Sequence, residues 1–249
     1  MRILLSNDDG FDSVGIKSLA KVLSKEHEVI ISAPARQQSG MAHAISVHKP
    51  IEVIRSAMHD VGVSEVWIID GTPADCVKMY LESIGADKKV DLVISGINEG
   101  ANLGTDVIYS GTVGAAVEGY LHGISSIAVS LDIDSSLSYS RTAELLAAQV
   151  PVFFEESSLF FLNVNFPKEL FEDKPNFVYT TVGHRDYANA FRKYEEDGKT
   201  YYVMEGEIYD GENSDISDIY AADHGCIAVT PLQTDMTDFF ALEKRLTVD

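Results

Sequence analysis

Short runs of β-branched and other apolar residues alternate with amphipathic runs of helical length through the first half of the chain. This alternation is typical of βαβ units, which build a mostly parallel sheet with helices on both faces. We predict strands at residues 2–6, 28–32, 51–55, 65–69, 91–95 and 125–131, and helices at 15–23, from 73 onward, at 111–121 and at 140–149. The pattern therefore predicts an α/β fold.

The second half of the chain has a different pattern. After Pro151 we predict strands at 159–166, 177–182 and 226–231, which continue the sheet, and a short closing helix at 239–246. Residues 183–225 are polar, acidic and aromatic, and the Tyr-rich segment 200–204 favours hairpins over a packed helix. This segment is too long for a simple loop in a compact domain. We therefore expect one domain over residues 1–249, with 183–225 as an extended β-rich arm that packs on a partner subunit.

Composition and charge exclude several classes of function. The formal net charge of -20, with Lys and Arg scattered singly, disfavours a nucleic-acid polymer as partner, although local amides or a metal ion can still hold a small anion. The two cysteines lie far apart and outside any CxxC pair, so we expect no disulfide framework. The sequence offers no signal-peptide pattern and no run long enough for a membrane span, which predicts a cytoplasmic protein.

Two adjacent carboxylates, Asp8 and Asp9, directly follow the first predicted strand. Ligands of open α/β sheets bind beyond the carboxyl ends of strands, so this position is typical of a reaction centre. Neighbouring carboxylates favour a cation between or beside them, and hard oxygen ligands suit Mg²⁺ or Mn²⁺. An ordinary surface turn, in which Asp8 or Asp9 caps a helix, is an equally good interpretation of this motif taken alone.

Three further segments follow predicted strands and so reach the same edge of the sheet. Asn98 offers a neutral amide oxygen to a metal, and Ser39 is either a ligand or a turn residue. Ser110, Gly111 and Thr112 begin a predicted helix, whose amides and hydroxyls favour an oxyanion. The competing interpretation is a glycine-rich turn with Ser110 as a plain helix cap. The seven histidines show no metal-site spacing, and none is assigned a role.

Two nucleotide-binding motifs are excluded. The segment from Gly10 to Ser18 resembles a P-loop, but Ile16 separates Gly15 from Lys17 and turns the ammonium about 100° away on a helix. Because no GxGxxG stretch is present either, a dinucleotide-dependent dehydrogenase has little support.

Taken in order, the motifs resemble the SurE family of survival-protein nucleotidases over nearly the whole chain. The motifs that carry the resemblance are Ser6-Asn7-Asp8-Asp9-Gly10, Ala33-Pro34 through Ser39-Gly40, Gly71-Thr72-Pro73-Ala74-Asp75-Cys76, Ser95-Gly96-Ile97-Asn98, Tyr109-Ser110-Gly111-Thr112, Asn163 to Pro167, Ser217-Asp218 and Thr230-Pro231-Leu232. Residues 41–44 are less rich in Gly and Ser than is usual in the family, and 183–225 are only loosely similar.

The resemblance implies a Rossmann-like α/β fold and hydrolysis of nucleoside monophosphates to nucleoside and phosphate. It also implies one divalent cation per subunit, Mg²⁺ or Mn²⁺, bound by Asp8, Asp9, Ser39 and Asn98, in a homodimer or homotetramer. We assign catalysis to Asp8 and Asp9, and phosphate binding to Asn7, Ser110, Gly111 and Thr112. Whether Asp8 attacks phosphorus or activates water stays open, as do two other functions: a broader acid phosphatase or exopolyphosphatase, and a nucleotide-binding sensor without turnover.

Overall fold

A mostly parallel sheet forms the centre of the protein, for which the computed structural model describes residues 1–56, 62–171 and 175–246. Within these ranges the sheet has nine strands: β1 (Arg2–Ser6), β2 (Glu28–Pro34), β3 (Val53–Ser56), β4 (Glu65–Ile69), β5 (Leu92–Glu99), β6 (Ser125–Leu131), β7 (Phe161–Phe166), β8 (Phe177–Tyr179) and β13 (Ile227–Pro231). Their order is β3-β4-β2-β1-β5-β6-β7-β13-β8, and only the β3–β4 and β7–β13 pairs are antiparallel. The predicted domain of residues 1–249 includes three short segments, 57–61, 172–174 and 247–249, that lie outside the described residues.

Helices cover both faces of this sheet, as the alternating pattern predicted. The helices are α1 (Val14–Leu23), α2 (Pro73–Met79, followed by a π-helical turn Tyr80–Ile84), α3 (Gly111–Leu121), α4 (Tyr139–Glu156), α5 (Asp218–Asp223) and α6 (Phe239–Leu246). Side chains of α1 and α4 share one apolar core with alternate residues of the strands, whereas α2 and α3 pack on the opposite face. The Rossmann-like α/β prediction is therefore confirmed.

The start of α2 follows the local signals in the sequence. The Thr72 hydroxyl accepts a hydrogen bond from the Asp75 amide at 3.1 Å, and the Asp75 carboxylate accepts one from the Thr72 amide at 2.9 Å. Together with Pro73 at the first helical position, this capping box satisfies donors that a helix end otherwise leaves unpaired.

The end of α4 differs from the prediction, which stopped the helix at residue 149. The helix continues through Pro151 to Glu156. A proline inside a helix costs about 3 kcal/mol. This cost is offset because Val150 and Phe153 are buried in the core, and each such side chain contributes roughly 1.5–3 kcal/mol. Tertiary packing thus outweighs the local signal at Pro151.

The predicted arm divides into an exposed part and a packed part. Its exposed part consists of β9 (Asp186–Ala188), β10 (Phe191–Glu196), β11 (Lys199–Met204) and β12 (Glu207–Tyr209), with β10 and β11 forming the predicted hairpin. In contrast, α5 buries Ile219 and Ala221 against the main sheet, so the exposed arm is shorter than 183–225. The reason is that α5 has an apolar face, which the polar composition of the whole segment obscures.

No helix within the described ranges is long and apolar enough to cross a membrane.

Candidate active site

The predicted site lies at the switch point of the sheet. Strand β1 is flanked by β2 on one side and by β5 on the other, and all three run parallel. The connections after β1 and β5 leave a crevice at the carboxyl ends of the strands, which is where open α/β sheets bind ligands. The loop 7–10 after β1 and the end of β5 at Asn98 and Glu99 therefore meet at one place.

The side chain of Asn7 organises the first loop. It is buried, its Nδ2 donates to the Gly10 carbonyl at 3.0 Å and to the Ser13 hydroxyl at 2.8 Å, and its Oδ1 accepts from the Gly10 amide at 3.1 Å. Both amide protons and the amide oxygen are thus used inside the protein. This bonding differs from the phosphate-binding role that the sequence predicted, because the loop itself uses the groups that would bind phosphate.

Asp8 lies against the first turn of α3. Its carboxylate is only 5% exposed, and Oδ1 accepts a hydrogen bond from the Thr112 hydroxyl. A Cβ added at Gly111 would lie 3.0 Å from Asp8 Cβ and Oδ2, so a glycine is needed for this close approach. Burial raises the pKa of Asp8 to about 6, against the opposing effect of the Thr112 hydrogen bond and with a further increase from the charge of Asp9.

Asp9 is more accessible and is held from the side. Its Oδ2 accepts a hydrogen bond from the Glu99 amide at 3.2 Å. Burial raises its pKa, and the charge of Glu99 adds to this increase, whereas hydrogen bonds from the Glu99 amide and the Gln37 side chain oppose it. Among the described residues, no Lys, Arg or His forms an ion pair with Asp8 or Asp9, so this pair of carboxylates has no basic side chain in contact to balance its charge.

Ser39 and Asn98 flank this pair. The Gln38 amide donates to the Asp8 carbonyl at 2.7 Å, and the Ala42 amide donates to the Tyr109 carbonyl at 2.9 Å, which places the exposed Ser39 between Asp8 and the start of α3. Asn98 donates from Nδ2 to the Gly100 carbonyl at 2.7 Å, and within the described ranges Oδ1 has no hydrogen-bond partner. Two carboxylates, one amide oxygen and one hydroxyl are hard oxygen donors, whose chemistry fits Mg²⁺ or Mn²⁺.

The start of α3 is arranged differently from the predicted phosphate cradle. Ser110 caps the helix by accepting from the Val113 amide at 3.1 Å, as the competing interpretation expected, yet its own hydroxyl proton is not used in that bond. The hydroxyl of Thr112 donates to Asp8. Of the predicted cradle, the Thr112 hydroxyl is thus used inside the protein, whereas the Gly111 amide and the Ser110 hydroxyl proton keep their capacity to bind an anion.

The structure also brings together a charged cluster that the sequence analysis missed. Glu118 of α3 is buried and contacts His43 and Lys78, while His122 and Glu82 complete the cluster. Carboxylates of Glu82 and Glu118 lie close enough to His122 to hold a cation, but the Lys78 ammonium already contacts them at 2.8 and 3.1 Å. No spacing signal could have found this cluster, since His43 and Glu118 are 75 positions apart.

Comparison with known proteins gives the same family as the motifs. The family described as survival protein SurE matches residues 3–189. Two similar curated proteins, both named 5'-nucleotidase SurE, come from Desulforudis audaxviator (44% identical, covering 100% of this chain and 98% of that protein) and Syntrophomonas wolfei (40% identical, covering 98% and 93%). A crystal structure titled as the SurE protein from Aquifex aeolicus is 36% identical, covers 98% of each chain and has a TM-score of 0.82. The chain therefore belongs to the SurE family.

Proposed function

We propose that this protein is a metal-dependent phosphatase that hydrolyses nucleoside 5'-monophosphates to nucleoside and phosphate. The observation that carries the proposal is the adjacent pair of buried Asp8 and half-buried Asp9, which has no basic ion-pair partner among the described residues and lies beside the start of α3. Relatives at 40% and 44% identity over nearly their full length are named as 5'-nucleotidases, which supports the choice of substrate.

The proposed ligands of the cation are Asp8, Asp9, Ser39 and Asn98, with Mg²⁺ or Mn²⁺ as the ion. When bound, such an ion neutralises charge on the phosphoryl oxygens and polarises the phosphorus they surround. The Gly111 amide and the Ser110 hydroxyl bind non-bridging oxygens at the positive end of the α3 dipole. Asn7 supports the loop rather than binding phosphate.

Asp8 is the proposed catalytic carboxylate. The hydroxyl of Thr112 fixes its orientation, and its raised pKa gives it more affinity for a proton than an exposed aspartate has. In one route Asp8 accepts a proton from the attacking water. In the other route its oxygen attacks phosphorus, the bond from phosphorus to the nucleoside oxygen breaks, the nucleoside leaves after taking up a proton, and water then attacks the phosphorus of the acyl phosphate. A phosphoryl group made chiral with oxygen isotopes distinguishes the two routes, because two successive displacements retain the configuration at phosphorus and a single attack by water inverts it.

The nucleoside is proposed to occupy a cavity of about 550 Å³ next to this site. The cavity lies among the loops that follow β5, β6 and β7, and the exposed arm closes one side of it; its lining includes Ala101, Ile133, Phe171 and Tyr187. Since neighbouring strands are about 4.8 Å apart, a cavity one or two strands from β5 is within reach of a nucleotide whose phosphate lies at Asp8. Its volume and aromatic side chains suit a base and sugar.

The test is phosphate release from AMP, tripolyphosphate and a generic aryl phosphate, with and without Mn²⁺. Preferential, Mn²⁺-dependent release from AMP supports the proposal, and comparable release from all three substrates indicates the broader phosphatase or exopolyphosphatase. Tight AMP binding without release from any substrate indicates the sensor. Phe171→Ala should raise the KM for AMP by roughly tenfold, because a stacked base loses about 1–3 kcal/mol. The same change should leave the KM for the aryl phosphate almost unchanged if the cavity binds the nucleoside.

The Ser110 hydroxyl has its own test. Ser110→Ala removes one hydrogen bond to a charged oxygen, which typically costs about 1.5–3 kcal/mol, so inhibition by inorganic phosphate should weaken about tenfold or more. Mn²⁺ affinity should stay the same, and a fall in Mn²⁺ affinity instead would show that Ser110 is misassigned.

We further propose a cytoplasmic homo-oligomer whose subunits associate through the exposed arm of one α/β domain. Phe191, Tyr202 and Met204 in this hairpin are 60%, 64% and 72% exposed. Large apolar side chains of this kind are typical anchors of protein interfaces.

A further inference from the structure

The segment of residues 41–46, which directly follows Ser39 and Gly40, is fastened to the starts of two helices. The Ala42 amide donates to the Tyr109 carbonyl before α3. At α2, the Thr72 hydroxyl donates to the Ala44 carbonyl at 2.6 Å, and the Ser46 amide donates to the Asp75 carboxylate at 2.9 Å. This segment therefore connects the loop that carries Ser39 to the helices that border the site.

Residues 41–46 also pack closely against the backbone of α3. A Cβ added at Gly114 would lie 2.2 Å from the Ala42 carbonyl oxygen, so the segment lies directly on the helix backbone. Gly114 is one turn after Ser110, the residue that caps α3. The position of residues 41–46 and the position of the proposed phosphate-binding amide are thus coupled through one rigid element.

One side-chain hydrogen bond joins this segment to α3. His43 Nε2 lies 2.7 Å from Glu118 Oε2, and because an ionised carboxylate only accepts hydrogen bonds, Nε2 carries the proton. The Glu118 side chain is only 4% exposed, and Lys78 Nζ lies 3.1 Å from its other oxygen. Although burial raises the pKa of Glu118, the hydrogen bonds from His43 and Lys78 lower it further, so the carboxylate is ionised at neutral pH. A hydrogen bond to an ionised carboxylate is stronger than one between neutral groups.

We propose that His43 is a positioning residue for the metal ligand Ser39, acting through its hydrogen bond to Glu118 of α3. The proposal rests on the metal site of the proposed function. Without this bond, residues 41–46 keep only backbone hydrogen bonds to α2 and to the residue before the α3 cap, and the Ser39 loop samples positions away from Asp8.

The chain supplies a matched control in His122. This histidine also faces Glu118, with Nδ1 3.6 Å from Oε1, and it contacts Glu82 at 3.0 Å. However, it follows the last residue of α3, and within the described part of the chain no hydrogen bond or ion pair joins it to residues 41–46. A charge effect on Glu118 alone would act from both histidines, whereas a positioning effect would act only from His43.

The first test measures Mn²⁺ binding by calorimetry in His43→Ala, His43→Gln and His122→Gln. We expect the dissociation constant to rise roughly tenfold in His43→Ala, as for loss of a residue that orients a metal ligand. His43→Gln should recover most of this loss, because its amide can still donate to Glu118, and His122→Gln should bind like the wild type. At saturating Mn²⁺, kcat of His43→Ala should stay within about twofold of the wild type.

The second test uses hydrogen exchange and does not depend on metal or activity. In chelator, the amides of residues 38–46 should exchange faster in His43→Ala but not in His122→Gln. Unchanged exchange in His43→Ala would overturn the proposal, and so would faster exchange with unchanged Mn²⁺ affinity. An equal effect of His122→Gln in either test would also overturn it. If the wild type binds Mn²⁺ but releases no phosphate from AMP, the proposed function fails while His43 can still be judged.

Discussion

The switch-point site and the exposed arm use polar residues in opposite ways. At the site, Asp8 is 5% exposed, Asn7 is fully buried, and neither Asp8 nor Asp9 has a basic partner among the described residues. In the arm, every residue of β10 is exposed, and Arg192 pairs with Glu205 across the hairpin at 2.6 Å. The arm thus satisfies its own charges and exposes its aromatic side chains, whereas the site leaves a negative charge for a ligand to balance.

This difference indicates what each region binds. Burying a carboxylate without a counter-charge costs free energy, and such a group persists where a ligand or a reaction needs it. Exposed ion pairs contribute little to stability. The arm is therefore stabilised mainly by strand pairing and by a binding partner that covers its aromatic side chains. We therefore expect changes at the site to alter ion binding and rate, and changes in the arm to alter assembly.

The largest expected effect is on catalysis. Asp8→Asn should lower phosphate release from AMP by about 10³-fold or more at any Mn²⁺ concentration, since the carboxylate is lost from the reaction itself. Asp9→Asn removes one charge from the metal site only, so excess Mn²⁺ should restore part of its rate. A Mn²⁺ titration of both variants measures this, and full activity of the wild type after exhaustive chelation would contradict the metal assignment.

The next largest effect is on stability, and it is expected to differ between a glycine near the site and a glycine in the arm. Gly114→Ala places a Cβ 2.2 Å from the Ala42 carbonyl oxygen, so the free energy of unfolding should fall by about 2–3 kcal/mol. Gly198 lies at the hairpin turn with a φ of +72° and no atom within 4 Å of an added Cβ. Gly198→Asn should therefore change stability by less than about 1 kcal/mol, because Asn tolerates this backbone conformation. Denaturant unfolding measures the free energy of unfolding of both variants, and an equal loss of stability in the two would contradict the comparison.

A smaller effect, in this case an increase in the free energy of unfolding, is expected from a change at Asp8 in the absence of metal. Because the folded pKa of about 6 lies above the ordinary aspartate pKa of 3.8, the protonated form is favoured by folding, and this stability is lost as pH rises from 3.8 through about 6. In chelator at pH 8, Asp8→Asn should raise the free energy of unfolding by about 1–2 kcal/mol, since the neutral amide avoids the cost of a buried charge. Near pH 3 the variant should gain nothing, and an equal gain at both pH values would contradict this explanation.

The smallest effect on the stability of the domain is expected from the arm. The amide of Glu205 donates to the carbonyl of Ala190 at 3.1 Å, so a short Gly/Ser turn can replace residues 191–204 without moving the rest of the chain. Because β10 is exposed throughout, unfolding free energy should change by less than about 1 kcal/mol. Light scattering should nevertheless show a monomer where the full chain is an oligomer, and an unchanged oligomer mass would remove the arm from the interface.

The sequence alone determined much of this protein, because several of its signals are local. The period and length of the apolar runs predicted β1, β4, β6 and α3 with the same first and last residues that the structure shows. The pair Asp8 and Asp9 was identified from its position after a strand, and the start of α2 from the cap at Thr72. These signals depend on residues a few positions apart, whose geometry the backbone fixes without help from the rest of the chain.

Only the tertiary structure decided which groups these residues meet. The side chain of Asn7 is hydrogen-bonded within its own loop, and the Thr112 hydroxyl donates to Asp8, which lies 104 positions away in the sequence. Helix α4 continues through Pro151 because its next turn is buried. His43 meets Glu118 only because the segment after Ser39 folds back onto α3. The Thr112–Asp8 and His43–Glu118 contacts join segments that are distant in sequence, and burial in the folded protein, rather than local preference, sets their free energy.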